Sequence, residues 1–453
     1  MTRETHTNAN KPSTPLWTPT PEQIERSPVT TLMREVGAAD YDALWEWSVA
    51  DVGRFWQTLW QKFDVQADGD PTIALADGRM PGARWFPDVA LSLPEHVWRG
   101  KDDDALAIQF AGEGTTTERA WTWGRLREET ARVRTGLQAL GVERGDRVVG
   151  YLPNVPETIA AFFAVSSLGA IWSCCSPDFG TRTVIDRFAQ IEPKVLLACD
   201  GYRYNGKTFD RTPVAAEIAA ALPTLAATIQ LSYLGGDDGW APAFPAPPEP
   251  LEFARVPFDH PLWILYSSGT TGLPKPIVHG HGGILLENLK LWRLTQAVNP
   301  EDRLLWTTTT GWVMWNLLVG ALLSDASIVL YEGSFAHPDL NALWDVIERT
   351  GVTVFGTGGP SKLLHGGAFL IRSDGGSGNS PEPNVRTRGS RCGARRGTCG
   401  TPPRGEGSGS APYLSFNGYR FCPADGRRHR PPVAMFLPRQ GRCGRAGATP
   451  QGY

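Results

Sequence analysis

The chain has 453 residues, of which 41% are hydrophobic and 20% are charged, and its mean hydropathy is −0.25. This length and composition predict two or three globular domains with a large buried core, which excludes a peptide or a mini-protein. The net charge of −3 combines two unlike parts, because residues 1–370 carry −13 and residues 371–453 carry +10.

The end of the chain differs in composition from the rest. Gly and Pro make up 31% of residues 371–453 and 16% of residues 1–370, and no Lys follows Lys362. A segment with few apolar residues and charges of mainly one sign cannot bury enough surface to offset its ordering entropy. We therefore expect residues 366–453 to be a low-complexity, disordered tail.

Cysteine usage and apolar runs indicate a cytoplasmic protein. None of the seven cysteines forms a Cys-x-x-Cys pair, and Met1–Asn10 is polar and lacks the pattern of a secretory signal. The longest uncharged run, Thr158–Cys175, contains several hydroxyl residues, so a buried helix followed by a buried strand explains it better than a membrane span does. We expect a location in the reducing cytoplasm and no membrane span.

The first predicted elements lie before residue 105. The polar start of the chain predicts that residues 1–38 form a mobile extension. Ala39–Phe63 carries aromatic and aliphatic residues at helical spacing, which predicts a helix packed on the main domain. An aromatic box that binds a ligand is the alternative for this segment. We assign residues 39–104 to an N-terminal region.

From Ala105 onward, predicted strands alternate with predicted helices. The helices are Thr122–Leu140, Glu157–Leu168, Trp312–Leu323 and Pro338–Arg349. The strands are Ala105–Phe110, Arg147–Leu152, Ile171–Cys175, Val195–Cys199, Leu262–Tyr266, Leu304–Trp306, Ser327–Leu330 and Val352–Phe355. This alternation predicts an α/β fold over residues 105–365, with mostly parallel sheets covered by helices.

A loop rich in glycine and hydroxyl groups follows the strand that ends at Tyr266. Glycines let backbone N–H groups approach an anion, hydroxyls donate further hydrogen bonds, and a lysine adds a full positive charge, which together suit a polyphosphate. The loop is not a P-loop, because Leu273 and Pro274 separate the second glycine from the lysine. A solvated surface loop is the alternative. The candidate phosphate-binding residues are Ser267, Ser268, Gly269, Thr270, Thr271, Gly272 and Lys275.

The sequence Tyr266–Lys275 (YSSGTTGLPK) resembles the phosphate-binding signature of the adenylate-forming acyl-CoA synthetase superfamily. Further stretches narrow the resemblance to the acetoacetyl-CoA synthetases (acetoacetate–CoA ligases), from about Leu16 to Lys362. These stretches are Pro15–Pro19 (PLWTP), Leu44–Val49 (LWEWSV), Met80–Pro87 (MPGARWFP), Trp172–Gly180 (WSCCSPDFG), Gly201–Lys207 (GYRYNGK) and Thr309–Asn316 (TTGWVMWN).

The resemblance implies a ligase that uses ATP, Mg²⁺ and coenzyme A. Acetoacetate would be converted to an acyl-adenylate with release of pyrophosphate, and the coenzyme A thiol would then displace AMP. It also implies that the loop residues hold the phosphates, with Lys275 as the catalytic cation. Trp312, Val313 and Met314 would line the acyl and pantetheine site, with core packing as the alternative for Trp312. Arg203 and Lys207 would contact the coenzyme A nucleotide, with plain solvation as the alternative.

Several parts that the resemblance requires are not recognisable after Lys362. They are a Gly-Gly-Thr-Asp-like loop, an Asp for the ribose, an Arg near a hinge and a small C-terminal domain that carries a lysine. We therefore expect that small domain to be absent and this chain to be inactive as a ligase. A one-base frameshift between about Lys362 and Asp374 would explain the tail, because Arg427–Arg430 (RRHR) read one base later permits Gly-Gly-Thr-Asp.

Other functions stay open at this point. The chain could be a catalytically dead nucleotide-binding fragment, or a ligase for acetate or propionate, although acetyl-CoA synthetases resemble Gly311–Asn316 only through Gly-Trp-Val. The basic tail could bind nucleic acid without specificity, but it carries no known motif. His279 and His281 have no Cys or carboxylate at ligand spacing, so no metal site is predicted. The expected partners are small molecules and not nucleic acid.

Overall fold

The computed structural model describes residues 18–114, 118–235, 239–267 and 272–357, together with the backbone of residues 369–372. The α-helices are α1 (Pro21–Arg26), α2 (Pro28–Val36), α3 (Tyr41–Ala50), α4 (Val52–Lys62), α5 (Leu93–Trp98), α6 (Trp123–Ala139), α7 (Pro156–Ser167), α8 (Thr181–Phe188), α9 (Thr212–Ala220), α10 (His281–Leu289), α11 (Val313–Gly320) and α12 (Ala342–Thr350). A π-helical segment, Lys290–Thr295, continues α10, and 3₁₀ segments follow α8 (Ala189–Ile191) and α11 (Ala321–Ser324).

The strands of the described residues form two large sheets, a small three-stranded sheet and two separate hairpins. They are β1 (Asp68–Gly69), β2 (Leu75–Asp77), β3 (Arg84–Trp85), β4 (Val89–Leu91), β5 (Leu106–Gly112), β6 (Arg119–Thr122), β7 (Arg147–Tyr151), β8 (Ile171–Cys175), β9 (Val195–Cys199), β10 (Gly201–Tyr204), β11 (Lys207–Asp210), β12 (Ala227–Leu231), β13 (Val256–Pro257), β14 (Pro261–Ser267), β15 (Lys275–Gly280), β16 (Arg303–Trp306), β17 (Ser327–Glu332), β18 (Val354–Thr357) and β19 (Phe369–Arg372).

The first large sheet has the strand order β12-β9-β7-β8-β14-β15. Its strands are parallel except for the antiparallel pair β14 and β15. Strands β8 and β9 have the bounds predicted from the sequence, because a parallel strand buried on both faces is an unbroken apolar run.

The second large sheet has the order β19-β18-β16-β17-β5-β6. The four central strands are parallel, and the two outer strands, β6 and β19, are antiparallel to their neighbours. Crossover helices lie between its strands in the sequence, as expected for a parallel sheet.

Helices cover both faces of each large sheet. Every residue of α7 is buried, and α7 packs on β8 and on α6, which in turn packs on β5 and β6. Helices α8 and α9 cover the outer face of the first sheet, and α12 covers the outer face of the second sheet. The prediction of an α/β fold with mostly parallel sheets covered by helices is confirmed.

Part of the segment expected to be mobile is helical. Thr20 forms a capping box with Gln23, and Pro21 occupies the first turn of α1. In α2, Leu32 is buried and belongs to the main hydrophobic core. These local signals set the helices despite the polar composition of the segment, and residues 1–17 lie outside the described residues.

The single helix expected over Ala39–Phe63 is divided into α3 and α4. Asp51 has extended backbone and accepts a hydrogen bond from the Arg54 N–H at 2.9 Å, which caps α4. The Trp60 ring is buried and stacks on Phe86 with 4.6 Å between ring centroids. The structure therefore agrees with the interpretation that this segment packs on the main domain.

The segment expected to be disordered contains one described element. The backbone of β19 pairs antiparallel with β18, which places Phe369 opposite Thr357. Apart from β19, the predictions of a disordered tail, of a frameshift between about Lys362 and Asp374 and of a missing C-terminal domain concern residues outside the described ranges. Within those ranges, no helix is long and apolar enough to cross a membrane.

Candidate nucleotide and acyl site

The predicted phosphate loop joins β14 to β15 at the carboxyl end of β14. Ser267 is the last residue of β14 and pairs with Lys275, the first residue of β15. Gly272 has a φ of 103°, which favours glycine. Lys275 is exposed to solvent. Ser268, Gly269, Thr270 and Thr271 lie outside the described residues, so the structure describes the two ends of the loop.

Side-chain hydrogen bonds fix both flanks of this loop to the outer helices of the first sheet. The Tyr266 hydroxyl donates to the Arg187 carbonyl at 2.7 Å, and burial raises the pKa of Tyr266 above its ordinary value. The Gln190 side chain donates to the Pro274 carbonyl at 3.0 Å. The described residues on both sides of the loop, Tyr266 and Pro274, are therefore tethered.

The segment after β16 brings the second sheet to the carboxyl ends of β7 and β8. The Thr310 hydroxyl donates to the Leu152 carbonyl at 2.7 Å, and the Trp315 Nε1–H donates to Asn154 Oδ1 at 3.1 Å. A Cβ at Gly311 would lie 2.6 Å from the Phe179 ring, so only glycine fits there without movement of that ring. These contacts attach the Thr309–Asn316 segment to the first sheet.

The predicted acyl-site residues differ in exposure. Trp312 is 63% exposed and Val313 is 46% exposed, whereas Met314 is half-buried against the core. The core alternative for Trp312 therefore does not hold, and Trp315 is the tryptophan of this segment that lies in the core. Asn316 is buried, and its Oδ1 has no hydrogen-bond partner among the described residues.

A carboxyl group that the sequence analysis missed connects the ends of the two sheets. Glu332 Oε2 accepts the Asn154 N–H at 2.6 Å, and the Asn154 side chain donates to the Tyr331 carbonyl at 3.3 Å. Burial raises the pKa of Glu332 to about 7, and the negative charges of Asp178 and Glu113 act in the same direction. The available signal was a glutamate directly after five buried strand residues.

The two predicted coenzyme A contacts lie on the β10–β11 hairpin. Its register pairs Tyr204 with Lys207 and Arg203 with Thr208, so Arg203 and Lys207 project from opposite faces. Lys207 and Tyr204 are exposed, whereas Arg203 is half-buried. The two cations therefore share a hairpin but do not form one patch on a single face.

Neither the histidines after the loop nor the described cysteines provide a reactive group at this site. His279 Nδ1 accepts the Trp263 Nε1–H at 2.9 Å, and burial lowers the pKa of His279 and sets that of His281 to about 3. Burial raises the pKa of the Cys174 thiol to about 12, which keeps it protonated at neutral pH. The described residues contain no group of three potential ligands that could hold a metal ion.

Two protein families match the sequence. The AMP-binding enzyme family matches residues 95–359, and the acetyl-coenzyme A synthetase N-terminus family matches residues 41–96. The first match includes the phosphate loop, the Thr309–Asn316 segment and most strands of both large sheets.

The individual proteins that this chain resembles are named as CoA synthetases. An acetoacetyl-coenzyme A synthetase of Rhizobium meliloti (strain 1021) is 43% identical over 364 residues, which is 76% of this chain and 55% of that protein. A malonamoyl-CoA synthetase of Penicillium aethiopicum is 35% identical over 350 residues, which is 70% of this chain and 48% of that protein. The structure of acetoacetyl-CoA synthetase from Streptomyces lividans matches with a TM-score of 0.73 and 45% identity, over 76% of this chain and 55% of that chain. This chain thus spans about half the length of the relatives that it matches.

Proposed function

This chain belongs to the AMP-binding enzyme family, and we propose that its function is that of an acetoacetate–CoA ligase. In the first step, a carboxylate oxygen of acetoacetate attacks the α-phosphorus of Mg-ATP, and the bond to pyrophosphate breaks. In the second step, the sulfur of coenzyme A attacks the acyl carbonyl, the bond to AMP breaks and the thiol proton is lost. The products are acetoacetyl-CoA, AMP and pyrophosphate.

We assign the phosphates of ATP to the loop between β14 and β15. Charge builds up on the leaving pyrophosphate as the acyl-adenylate forms, so a nearby cation and hydroxyl donors stabilise the transition state. Lys275 supplies that cation, while Ser267, Ser268, Thr270 and Thr271 supply hydroxyls. Gly269 and Gly272 let the backbone approach the phosphates. The tethered flanks of the loop, at Tyr266 and Pro274, support this assignment.

The choice of acyl group rests on the segment Gly311–Asn316 together with the names of two relatives. It presents the exposed Trp312 and Val313 beside the carboxyl ends of the first sheet. Acetoacetyl and malonamoyl groups, after which two relatives are named, share a second carbonyl that one methylene separates from the acyl carbon. We therefore propose that the acid carries such a second carbonyl.

Acid-dependent exchange of labelled pyrophosphate into ATP tests the first step. Any exchange that this chain supports should be faster with acetoacetate than with butyrate or acetate, because butyrate has the same chain length without the ketone. Absence of exchange with every acid would agree with the expectation that this chain is inactive as a ligase. Malonamate, which keeps the second carbonyl, should also exceed butyrate. Faster exchange with acetate or propionate than with acetoacetate would contradict the proposal and favour another short-chain acyl-CoA synthetase.

ATP binding measured by calorimetry separates the ligase from the nucleotide-binding fragment. Lys275→Ala should weaken ATP binding about tenfold, because a full charge beside the phosphates is lost. The matched control is Lys207→Ala, which removes an exposed lysine away from the loop and should leave ATP binding unchanged. ATP binding that depends on Lys275 without any acetoacetate-dependent exchange would support the fragment.

We also propose a cytoplasmic location and small molecules as partners. The described cysteines, Cys174, Cys175 and Cys199, are free thiols, which fits a reducing compartment. Fractionation of cells with detection of the native chain would test the location. A gel-shift titration at low and high salt would test the alternative that the basic tail binds nucleic acid.

A further inference from the structure

The β10–β11 hairpin pairs with no other described strand. It forms a two-stranded sheet of its own, and such a hairpin is marginally stable in water. At its base, the Arg211 guanidinium donates to the Tyr202 hydroxyl at 3.0 Å, and the Tyr202 and Phe209 rings stack with 5.0 Å between centroids. The position of the strands that carry Arg203 and Lys207 therefore depends on the contacts of the turn at the other end of the hairpin.

A buried carboxylate holds that turn. Glu113 is 4% exposed and directly follows β5 of the second large sheet. Its Oε2 accepts the Asn205 N–H at 3.0 Å, and its Oε1 accepts the Gly206 N–H at 2.5 Å. Asn205 and Gly206 have φ angles of 56° and 75°, so the two-residue turn directs both N–H groups at one carboxylate.

The same carboxylate also bonds the segment that follows β17. Glu113 Oε2 accepts the Ser334 N–H at 2.6 Å, and the Glu113 N–H donates to the Glu332 carbonyl at 2.8 Å. Gly333 has a φ of 126°, and a Cβ there would lie 2.3 Å from the Glu113 Cβ, so glycine is needed to admit the glutamate. Glu113 thus joins three pieces of chain: the end of β5, the segment after β17 and the hairpin turn.

We propose that Glu113 is a positioning residue for the second half-reaction, because it fixes the hairpin to which the resemblance assigns the nucleotide end of coenzyme A, with Arg203 and Lys207 on its opposite faces. This inference rests on the proposed function. In this role Glu113 contacts the protein backbone and not the substrate. It acts by restricting the hairpin, so that its loss lowers the affinity for the nucleotide without changing the groups that contact it.

Two measurements on the full chain test this role. In Glu113→Gln, an amide NH₂ replaces one acceptor oxygen, so one of the three backbone N–H donors faces another donor. We expect faster hydrogen–deuterium exchange in a peptide covering residues 201–210, and about tenfold weaker binding of adenosine 3′,5′-bisphosphate with unchanged ATP binding. A general structural defect would weaken both ligands together.

Two further variants keep the experiment decisive. Glu217→Gln makes the same chemical change at an exposed position on α9 and should alter neither exchange nor binding. Gly206→Ala disturbs the turn from the hairpin side, because its Cβ would lie 2.9 Å from the His337 ring and its φ is positive. It should reproduce both effects of Glu113→Gln, and it replaces that variant if Glu113→Gln does not fold.

Each of the remaining outcomes would contradict one part of the proposal. Unchanged exchange in both variants would show that Glu113 does not hold the hairpin. Faster exchange with unchanged affinity for adenosine 3′,5′-bisphosphate would show that the position of the hairpin does not matter for binding. If the unaltered chain does not bind adenosine 3′,5′-bisphosphate at all, the assignment of this ligand to the hairpin is wrong, whereas acetoacetate-dependent pyrophosphate exchange tests the ligase reaction independently.

Discussion

At the scale of single residues, the carboxyl of Glu332 is in an unusual environment. It accepts a backbone N–H from Asn154 at 2.6 Å, at the place where the ends of the two large sheets meet. A hydrogen bond to the ionised form lowers a carboxyl pKa, but the loss of water around the charge outweighs it here. The result is a group that titrates near neutral pH while it connects the two sheets.

The shifted pKa predicts how stability depends on pH. The pKa of Glu332 rises from an ordinary value of 4.5 to about 7 on folding, so between these values the folded state binds more protons than the unfolded state. The contribution of this group to the free energy of unfolding therefore falls as pH rises through this window. Glu332→Gln removes the titration, so its stability relative to the unaltered chain should increase by about 1–3 kcal/mol between pH 4.5 and pH 8.

Urea denaturation at several pH values measures this difference. Glu217→Gln, on the exposed face of α9, is the control for loss of one carboxylate from the chain. A stability difference between Glu332→Gln and the unaltered chain that stays constant from pH 4.5 to pH 8 would show that Glu332 does not titrate in this range.

At the scale of secondary-structure elements, success in prediction from sequence followed the strength of the local signal. Buried parallel strands such as β8 and β9 were predicted with their observed bounds, and the Thr122 cap places the start of α6 within one residue of the prediction. Strand β15 was missed, because its sequence KPIVHG contains Pro and His and lies at the edge of its sheet. The single helix predicted over Ala39–Phe63 was too long, because Asp51 caps a second helix, α4.

For the candidate site, sequence reasoning identified residues with a motif and missed residues that act through tertiary contacts. The phosphate loop and the Thr309–Asn316 segment carry recognisable side chains in order. Glu113 and Asn154 instead depend on partners 92 to 221 and 161 to 178 positions away, which no local pattern indicates. The opposite faces of Arg203 and Lys207 follow only from the hairpin register.

Strand β15 has a second property that leads to a prediction. It is the outermost described strand of the first sheet, and Ile277 and Val278 on its two faces are 37% and 53% exposed. An exposed apolar edge strand pairs readily with other chains. Val278→Lys should therefore reduce aggregation, seen as lower light scattering at high protein concentration, while it changes the free energy of unfolding by less than about 0.5 kcal/mol.

The control for this change is Val49→Lys, which introduces the same charge at a valine of α3 that is 44% exposed and lies on no sheet edge. It should leave light scattering close to that of the unaltered chain. Equal reductions in both variants would assign the effect to the change in net charge and not to the β15 edge.

At the scale of the whole molecule, α7 determines whether the two large sheets behave as one folding unit. Its Phe162 ring lies 6.3 Å from Trp172 of β8, 5.7 Å from Trp263 of β14 and 6.1 Å from Trp315 of α11, measured between centroids. Helix α6 continues this packing to the second sheet. A helix buried along its whole length between two sheets gives them a shared hydrophobic core. Neither sheet can therefore separate from the helices between them without disrupting the packing of the other sheet.

This shared core predicts one cooperative unfolding transition of the packed region. Phe162→Ala should lower its free energy of unfolding by about 3–5 kcal/mol, because a fully buried ring is replaced by a cavity. Urea denaturation followed by far-ultraviolet circular dichroism and by tryptophan fluorescence should give coincident curves before and after the change, since tryptophans lie in both sheets. Ile73→Ala, at a residue 49% exposed, should shift the midpoint little. Two separated transitions, only one of which moves in Phe162→Ala, would show that the sheets unfold independently and that α7 belongs to one of them.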